Sequence, residues 1–592
     1  MVSKAMCGIF GYVGKREDAG EVVLRGLRKL EYRGYDSWGI ACFSGNKLEV
    51  KKEVGKIGNA TVNFSPSSLG FGQTRWATHG GVTRANAHPH FDCQSKVAVV
   101  HNGIVENYQK LKTGFKKKHV LRSQTDTEII VHLIEEMSLT GKDFKEAVRK
   151  AFLKLDGLNA FVALDTRSRT LVAVKNGSPL VAGMGKNENF VASDAAGIVD
   201  YTRDILFLED YDLLSIEGDK ITLYDVRSGK EKRLKHQKVD WQIEPESLGK
   251  FKHFLMKEVY EQPRVIRRIA HESGYEVVHL ANLIKKSFGT YLVGCGTASY
   301  ACLAGTYLFS EISKRHLNFV IGSEFNYLED FITPRSLVIG VSQSGETADI
   351  IESLTKAKKK GAQLSCLVNV IGSTLYRLVD FKVLIGAGQE RAVISTKAFI
   401  GQISLLLFTS YALANRLAEG RRVLQKTARA METILSKDSQ SHIRVLARKL
   451  WRHDHIYIIG RGISYSAALE GALKIKEASY IHAEGFAAGE LKHGVIALVE
   501  KGTPCIVIAP PDKTLGAVLA AAMEVKARGG LIIGLSDKNN EIFDHFVKVP
   551  EAGLGSLMLN VAVLQTLSYY LTLDRKHDPD KPRNLAKSVT VK

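Results

Sequence analysis

From residue 7 to about 240 the apolar positions fall in many short runs: Gly8–Val13, Gly39–Phe43, Leu69–Gln73, Val97–His101, Ala160–Asp165, Leu171–Val174, Leu213–Glu217 and Lys220–Tyr224. Glycine and polar turns separate them, as expected of strands. Two stretches change period. In Glu21–Tyr32, Val23, Leu27 and Leu30 fall on one helical face, and Thr127–Met137 reads as a second helix with Asp126 as a candidate N-cap. Strands clustered around helices predict a layered α+β domain. Residues 241–265 are polar and lack long apolar periodicity, so a linker is expected there. Beyond it, apolar strands alternate with long helices, which predicts parallel α/β architecture.

This second half contains a repeat. The strand Thr290–Val293 runs into Gly294-Cys-Gly-Thr-Ala-Ser-Tyr300, and Ile456–Ile459 runs into Gly460-Arg-Gly-Ile-Ser-Tyr465. Later strands correspond as well, Ser336–Ser342 with Cys505–Ala509 and Leu364–Asn369 with Leu531–Ser536. Two related doubly wound units split near 435 are expected. The boundaries read as 7–240, a linker at 241–265, then 266–435 and 436–592.

Composition narrows the class. Of 592 residues, 45% are hydrophobic and 24% charged, ordinary values for a globular chain. No run of 18 apolar residues appears, and Met1–Met6 contain no apolar signal core, so neither a membrane span nor secretion is expected. The seven cysteines are scattered without a C-x-x-C pair, which fits a reducing compartment and excludes the usual zinc motifs. The net charge of +20 raises the question of anionic partners, but the basic residues are dispersed and no nucleic-acid signature accompanies them. No nucleic-acid partner is expected.

The candidate chemistry lies in two groups. In the second half, three segments with small or hydroxyl residues at helix starts suit a phosphate: Gly296–Ser299, Ser342-Gln343-Ser344-Gly345-Glu346-Thr347 and Ser395-Thr396-Lys397. None is a dinucleotide or Walker loop, which favours a sugar phosphate over a nucleotide; each taken singly reads more readily as a capped helix start, but three on one unit favour phosphate binding. Glu470, Lys474 and Glu477 share a helix face among small and apolar residues, where a solvated ion-paired face competes with proton transfer. His493 follows in Glu490–Gly494. The tail Asn584–Val591 is mostly apolar with Lys587 as its one charge, so either a packed tail or a docked Schiff-base lysine fits. In the first half, Cys7 opens a strand. If Met6 starts the chain and is removed, the α-amine of Cys7, with a pKa of about 7.7–8.0, can act as base to its own thiol. Arg75 can hold a carboxylate, Asp126 an α-ammonium, and Asn102 with the Gly103 N–H an oxyanion. His79, His88, His90 and His101 match no common metal-ligand spacing.

The segments Cys7–Gly11, Leu30–Ser37, Thr74–Gly80, Asn86–His90, His101–Gly103, Ser342–Thr347, Ser395–Phe399, Tyr480–Glu484, Glu490–Gly494 and Arg583–Thr590 resemble, in order and across residues 7–592, the glucosamine-6-phosphate synthase family of isomerising glutamine:fructose-6-phosphate aminotransferases. The resemblance implies an α+β N-terminal-nucleophile (Ntn) glutaminase domain followed by two α/β doubly wound sugar-isomerase (SIS) domains. It implies Cys7 as nucleophile on glutamine, Asn102 and Gly103 as oxyanion hole, and Arg75, Thr78, His79 and Asp126 as glutamine ligands. Arg33 and Trp76 would shield the site, with Trp76 gating an ammonia channel. On the sugar side, Thr297, Ser299, Ser342, Gln343, Ser344, Thr347 and Ser395 would hold fructose 6-phosphate. Lys587 would form the Schiff base, Glu477 would move the proton from C1 to C2 beside Lys474, and His493 would assist ring opening from the other subunit of a homodimer. No cofactor or metal is implied, and a cytoplasmic enzyme is expected. Two features depart from the family pattern: Ala298 stands where a serine is usual, which leaves the role of Ser299 open, and Met1–Met6 precede Cys7.

Two other functions compete. An ammonia-dependent aminating isomerase or deaminase would keep the sugar half and lose glutamine use. A sugar-phosphate sensor would keep the phosphate loops without Glu477, His493 and Lys587, and would carry a DNA-binding module.

Overall fold

The computed structural model describes residues 7–45, 47–138, 143–239 and 247–587. They form two compact units, 7–239 and 247–587.

The first unit stacks two antiparallel sheets. One has eight strands, ordered Gln237–Lys238, Asp204–Phe207, Val181–Gly185, Glu188–Ala192, Gly8–Gly14, Leu69–Arg75, Ser37–Ser44 and Lys47–Val54. The other has seven, ordered Glu231–Lys232, Lys220–Asp225, Asp212–Glu217, Thr170–Asn176, Asn159–Asp165, Val97–Gly103 and His90–Phe91. The two-residue side-chain period decides the layering. Ile9, Val13 and Phe71 of the first sheet pack against Ala98, Val100 and Val162 of the second. The intervening Phe10 and Tyr12 face the helix Ala19–Leu30, while Val97, Val99 and Phe161 face the helices Thr127–Ser138 and Phe144–Phe152. Central strands are therefore covered on both faces, which is why they read as near-continuous apolar runs. The layering is helix, sheet, sheet, helix.

The second unit holds two five-stranded parallel sheets of the same winding. The first is ordered Asn318–Ile321, Gly289–Gly294, Ser336–Ser342, Gln363–Val368, Phe381–Leu384. The second is ordered His482–Ala487, His455–Gly460, Pro504–Ile508, Leu531–Ser536, His545–Lys548. Both follow the order 2-1-3-4-5, so the repeat seen in sequence is a repeat of topology. In such sheets a crevice opens at the carboxyl ends of strands 1 and 3, where the winding reverses. Here those ends are Gly294 and Ser342, which carry two of the three phosphate-loop candidates.

The stretch expected as a linker differs in its second part. Of it, residues 241–246 lie outside the described residues, but Phe254 starts a helix that runs to Glu272. Leu255, Met256, Val259, Ile266 and Ile269 are buried along it, while the interleaved charges and Pro263 obscure that period in the sequence. The split expected near 435 falls between the helices Leu417–Ile434 and Lys437–Leu450. The segment Gly553–Asp574 is long and apolar enough to cross a membrane, yet 89% of its most apolar window is buried in the protein, so it serves as a core helix.

The end of the chain is pinned to the start of this unit. Asp580 accepts from the backbone N–H of Phe254 (2.9 Å) and Leu255 (2.7 Å), capping the helix Phe254–Glu272, and its own carbonyl accepts from Val393 N–H (2.9 Å). Replacing a capping Asp by Ala costs about 1–2 kcal/mol. Asp580→Ala is expected to lower the unfolding free energy of this unit by that amount, seen in guanidinium unfolding as a lower midpoint at unchanged m-value.

Candidate active sites

In the first unit, the strand Gly8–Gly14 pairs with Leu69–Arg75 so that Gly8 lies opposite Thr74. This sets Cys7 beside Trp76: the Trp76 N–H donates to Sγ at 3.3 Å, and the thiol faces the Trp76 carbonyl at 3.6 Å. A small cavity here is lined by Cys7, Arg75, Trp76, Thr78, His79, His88, His101, Gly103, Thr125, Asp126 and Thr127. Burial pushes the Cys7 thiol up to about 11, although Arg75 opposes this. A buried thiol needs a base to become a nucleophile near neutral pH.

Most side chains around the cavity are held by neighbours. Arg75 donates to the carbonyls of His79 (2.6 Å), Gly80 (3.2 Å) and Gly81 (3.2 Å), shaping the loop after its strand. Asp126 accepts from Val105 N–H at 2.8 Å. His101 joins Thr127 Oγ1 (3.0 Å) and Asn159 Oδ1 (2.9 Å), and burial holds its pKa below the usual value. Asn102 donates to Ser193 Oγ at 2.8 Å and accepts from Gln73 Nε2 at 2.9 Å. Gly103 has φ +133°, and a Cβ there would lie 2.2 Å from the Leu158 carbonyl, so only glycine fits. Arg33 is fully buried: its Nε donates to the Cys7 carbonyl at 3.3 Å, and its guanidinium lies 3.7 Å from Asp194.

In the second unit the loop Ser342–Thr347 is locked into shape. Ser342 Oγ meets Thr347 Oγ1 at 3.1 Å and accepts from Gly345 N–H at 3.0 Å. Ser344 Oγ accepts from Glu346 N–H at 3.1 Å, and the Gln343 carbonyl accepts from Asn369 N–H at 3.1 Å. Gly345 has φ +66°, and a Cβ would meet Ser373 Oγ at 2.1 Å. The helix Ala348–Lys359 starts directly after the loop, so its first N–H groups and dipole face the same place. The hydroxyl of Ser299 donates to the Gly296 carbonyl at 2.6 Å and is buried, so it is engaged by its own turn.

The titratable residues gather beside Thr297. Lys474 Nζ lies 2.6 Å from Glu477, 2.8 Å from Thr297 Oγ1, 3.3 Å from the Ser395 carbonyl and 3.5 Å from Glu470. Glu470 is fully buried, and burial pushes it up to about 8 despite Lys474. Of the two acids, Glu477 is the nearer to Lys474, at 2.6 Å against 3.5 Å. Lys587 Nζ donates to Glu390 Oε2 (2.6 Å) and to the Ala392 carbonyl (2.7 Å), with its side chain 4% exposed. Ser395 Oγ donates to the same Glu390 oxygen at 3.0 Å. His493 is exposed on a short turn, Leu491–His493. Of the apolar tail, residues 588–591 lie outside the described residues.

Sequence comparison agrees with both units. A family described as "Glutamine amidotransferase domain" matches residues 76–200, and one described as "SIS domain" matches 283–412 and 449–574. The proteins named glutamine–fructose-6-phosphate aminotransferase (isomerizing) from Pyrococcus horikoshii and Aquifex aeolicus are 42% and 40% identical to this chain. In each case 99% of this chain and 100% of the relative are covered. This chain belongs to the glutamine–fructose-6-phosphate aminotransferase (isomerizing) family. Among solved structures, the C-terminal domain of the Francisella tularensis glucosamine-fructose-6-phosphate aminotransferase is 32% identical, with a TM-score of 0.52, covering 57% of this chain and 100% of that one. The Escherichia coli tagatose-6-phosphate ketose/aldose isomerase shares the fold of the second unit at 16% identity and TM-score 0.50, over 57% of this chain and 98% of its own. The aminotransferase-family chain thus has an N-terminal glutamine amidotransferase domain followed by two SIS domains.

Several site residues of this family member escape sequence reasoning. Ser193 ties the Ile9 N–H (2.9 Å) to Asn102, and Gln73 ties Asn102 to the neighbouring sheet. Asp36 accepts from Ala77 N–H at 2.9 Å and steadies the Trp76 loop. Glu390 is the most connected: besides Lys587 and Ser395 it accepts from the N–H groups of Thr396 (2.8 Å) and Ala398 (3.2 Å). Its sequence context, Gln389-Glu-Arg391, looks like ordinary surface. Burial alone would raise its pKa, but Lys587 and the backbone donors hold it below the usual carboxylate range. A carboxylate depressed in the folded state stabilises above its unfolded pKa of about 4.3 and loses that contribution as pH falls through the folded value. Glu390→Gln is expected to cost about 3 kcal/mol at neutral pH by leaving Lys587 poorly paired, and to remove this component of acid destabilisation; unfolding at neutral and acid pH measures both.

Proposed function

We propose that the chain converts L-glutamine and D-fructose 6-phosphate to L-glutamate and D-glucosamine 6-phosphate, the first step of amino-sugar synthesis. The single observation that carries the reading is Lys587 buried on Glu390 and Ala392, in the unit that also holds the Glu477–Lys474 pair and the hydroxyl loops.

The glutaminase half runs on Cys7 once the residues before it are removed. The free α-amine then takes the thiol proton, which the burial of Cys7 makes necessary. The thiolate attacks the glutamine amide carbon. The second N–H of the Asn102 amide and the Gly103 N–H hold the oxyanion, and the Ser193–Asn102–Gln73 chain fixes the amide so that it need not reorient. Ammonia leaves, and water cleaves the thioester to glutamate. Arg75, Thr78, His79 and Asp126 bind the α-carboxylate and α-ammonium, with Arg33 and Trp76 closing the site over Cys7.

In the isomerase half, Thr297, Ser342, Gln343, Ser344, Thr347 and Ser395 hold the sugar phosphate, while Ser299 acts by bracing its turn. Lys587 must give up a proton to solvent to condense with the C2 ketone, while Glu390 fixes the position of its amine. Water leaves as the Schiff base forms, and ammonia then displaces the lysine. Glu477 removes the proton from C1 and returns it to C2, with the Lys474 ammonium steadying its charge. The exposed position of His493 suits a residue that opens the sugar ring in the partner of a homodimer. Seven free cysteines support a cytoplasmic setting.

Glucosamine 6-phosphate is measured with glutamine or with ammonium as nitrogen donor. Cys7→Ala is expected to abolish product from glutamine and retain it from ammonium. Glu477→Gln is expected to lose about 10²–10⁴-fold with either donor while glutamine hydrolysis persists. Product from ammonium alone in the unaltered protein, with its N-terminus starting at Cys7, would favour the ammonia-dependent isomerase; no product from either donor would overturn the reading.

A further inference from the structure

A second cluster in the first unit takes no part in the glutamine site. Cys93, His119, His132 and Glu135 each offer one ligand atom, and the four atoms lie within 4.8 Å of one another. They come from three separate segments. Cys93 follows the short strand His90–Phe91, His119 sits in the irregular stretch before Thr125, and His132 and Glu135 stand one turn apart on the helix Thr127–Ser138. None of the four lines the cavity beside Cys7.

The geometry points to a structural zinc site with Cys93 Sγ, His119 Nδ1, His132 Nδ1 and a Glu135 carboxylate oxygen as its four ligands. Bond lengths of about 2.3 Å for Zn–S and about 2.0–2.1 Å for Zn–N and Zn–O give tetrahedral edges of roughly 3.6 Å from sulfur to nitrogen and roughly 3.3 Å between the lighter atoms. Here Cys93 Sγ lies 3.5 Å from His119 Nδ1 and 3.9 Å from His132 Nδ1. Glu135 Oε2 lies 3.1 Å from His119 Nδ1 and 3.0 Å from His132 Nδ1. One carboxylate oxygen thus faces two imidazole nitrogens and also accepts from Cys93 N–H at 3.2 Å. A cation drawn to the middle of these atoms satisfies them all.

The outer atoms fit as well. Each histidine presents Nδ1 inward and Nε2 toward a second carboxylate: His119 Nε2 to Glu136 at 3.4 Å, and His132 Nε2 to Glu128 at 3.9 Å. Carboxylates behind metal-binding imidazoles fix their tautomer and strengthen them as ligands. The His119 and His132 side chains are 3% and 0% exposed, while Cys93 and Glu135 are partly buried. Four protein ligands leave no open position for substrate, and a thiolate with two imidazoles selects zinc over magnesium or calcium. On binding, the Cys93 thiol gives its proton to solvent; thiolate and carboxylate then balance the two positive charges.

The consequence is mechanical. The stretch from Gly114 to Gln124 has no regular secondary structure, yet it leads directly to Thr125 and Asp126 in the glutamine cavity. Zinc would tie its midpoint, His119, to the helix Thr127–Ser138 and to Cys93. Glu128 reinforces the same stretch, accepting from the N–H groups of Arg122 (2.6 Å) and Ser123 (2.7 Å).

The test uses the full-length chain and three measurements. Metal analysis after dialysis is expected to find one zinc per chain, kept in Cys7→Ala and lost in His132→Ala. Cobalt in place of zinc is expected to give a thiolate-to-cobalt charge-transfer band that Cys93→Ser abolishes, with zinc affinity lowered at least about tenfold. A chelator is expected to lower the melting temperature of the unaltered protein, a readout that needs no variant to fold. The proposal is overturned if the metal-free protein takes up neither zinc nor cobalt at micromolar concentration, or if Cys93→Ser and His132→Ala hold zinc as tightly as the unaltered chain.

Discussion

A single buried carboxylate, Glu390, organises the sugar-phosphate half. It binds the Lys587 ammonium, the Ser395 hydroxyl and two N–H groups at the start of the helix Lys397–Leu413. That helix is buried over nearly its whole length, so its N-terminus cannot rely on water for its free donors. One charge therefore caps a core helix and fixes Lys587. A buried ion pair of this kind is a poor source of net stability, because desolvation offsets most of the attraction. Its value lies in position: the amine is held dry and fixed on one carboxylate.

The glutaminase half reaches the same end by different means. Cys7 lies beside the ends of central strands, and the groups around it are fastened mainly by backbone. Arg75 is held by three loop carbonyls, Asp126 by a strand-end N–H, and Asn102 by Ser193 and Gln73. Groups fixed in this way suit the proposed oxyanion site, because fixed dipoles need not turn toward a developing charge. In both halves topology chooses the place, strand ends in one and the reversal point of a doubly wound sheet in the other. Local hydrogen bonds then set the angles.

Much of this was legible in the sequence. Short apolar runs followed by strand–helix alternation gave the two fold classes, because burial on one or two faces leaves a direct imprint on period. The repeat of Gly294–Tyr300 in Gly460–Tyr465 anticipated sheets of identical winding. The helix from Phe254 was less legible, since charged residues and Pro263 interrupt its apolar stripe. Glu390, Ser193, Gln73 and Asp36 could not be found this way: each is an ordinary polar residue whose role comes from partners far along the chain. The cluster around Cys93 was hidden for the same reason, because its ligands are spread over three segments and only His132 and Glu135 show a local spacing. The histidines that did stand out, His88, His90 and His101, are buried, and burial holds each below the usual imidazole pKa.

The claim on which the account turns is that Lys587 forms a covalent imine with the ketose. Borohydride added to the protein with fructose 6-phosphate, in the absence of glutamine and ammonium, would reduce that imine to a stable amine. Peptide mass spectrometry should then find a hexitol phosphate on Lys587 and a loss of activity in proportion to its formation. Labelling of Lys474 instead, or an enzyme that turns over normally and is never trapped, would contradict the assignment of Lys587 and the role given to Glu390.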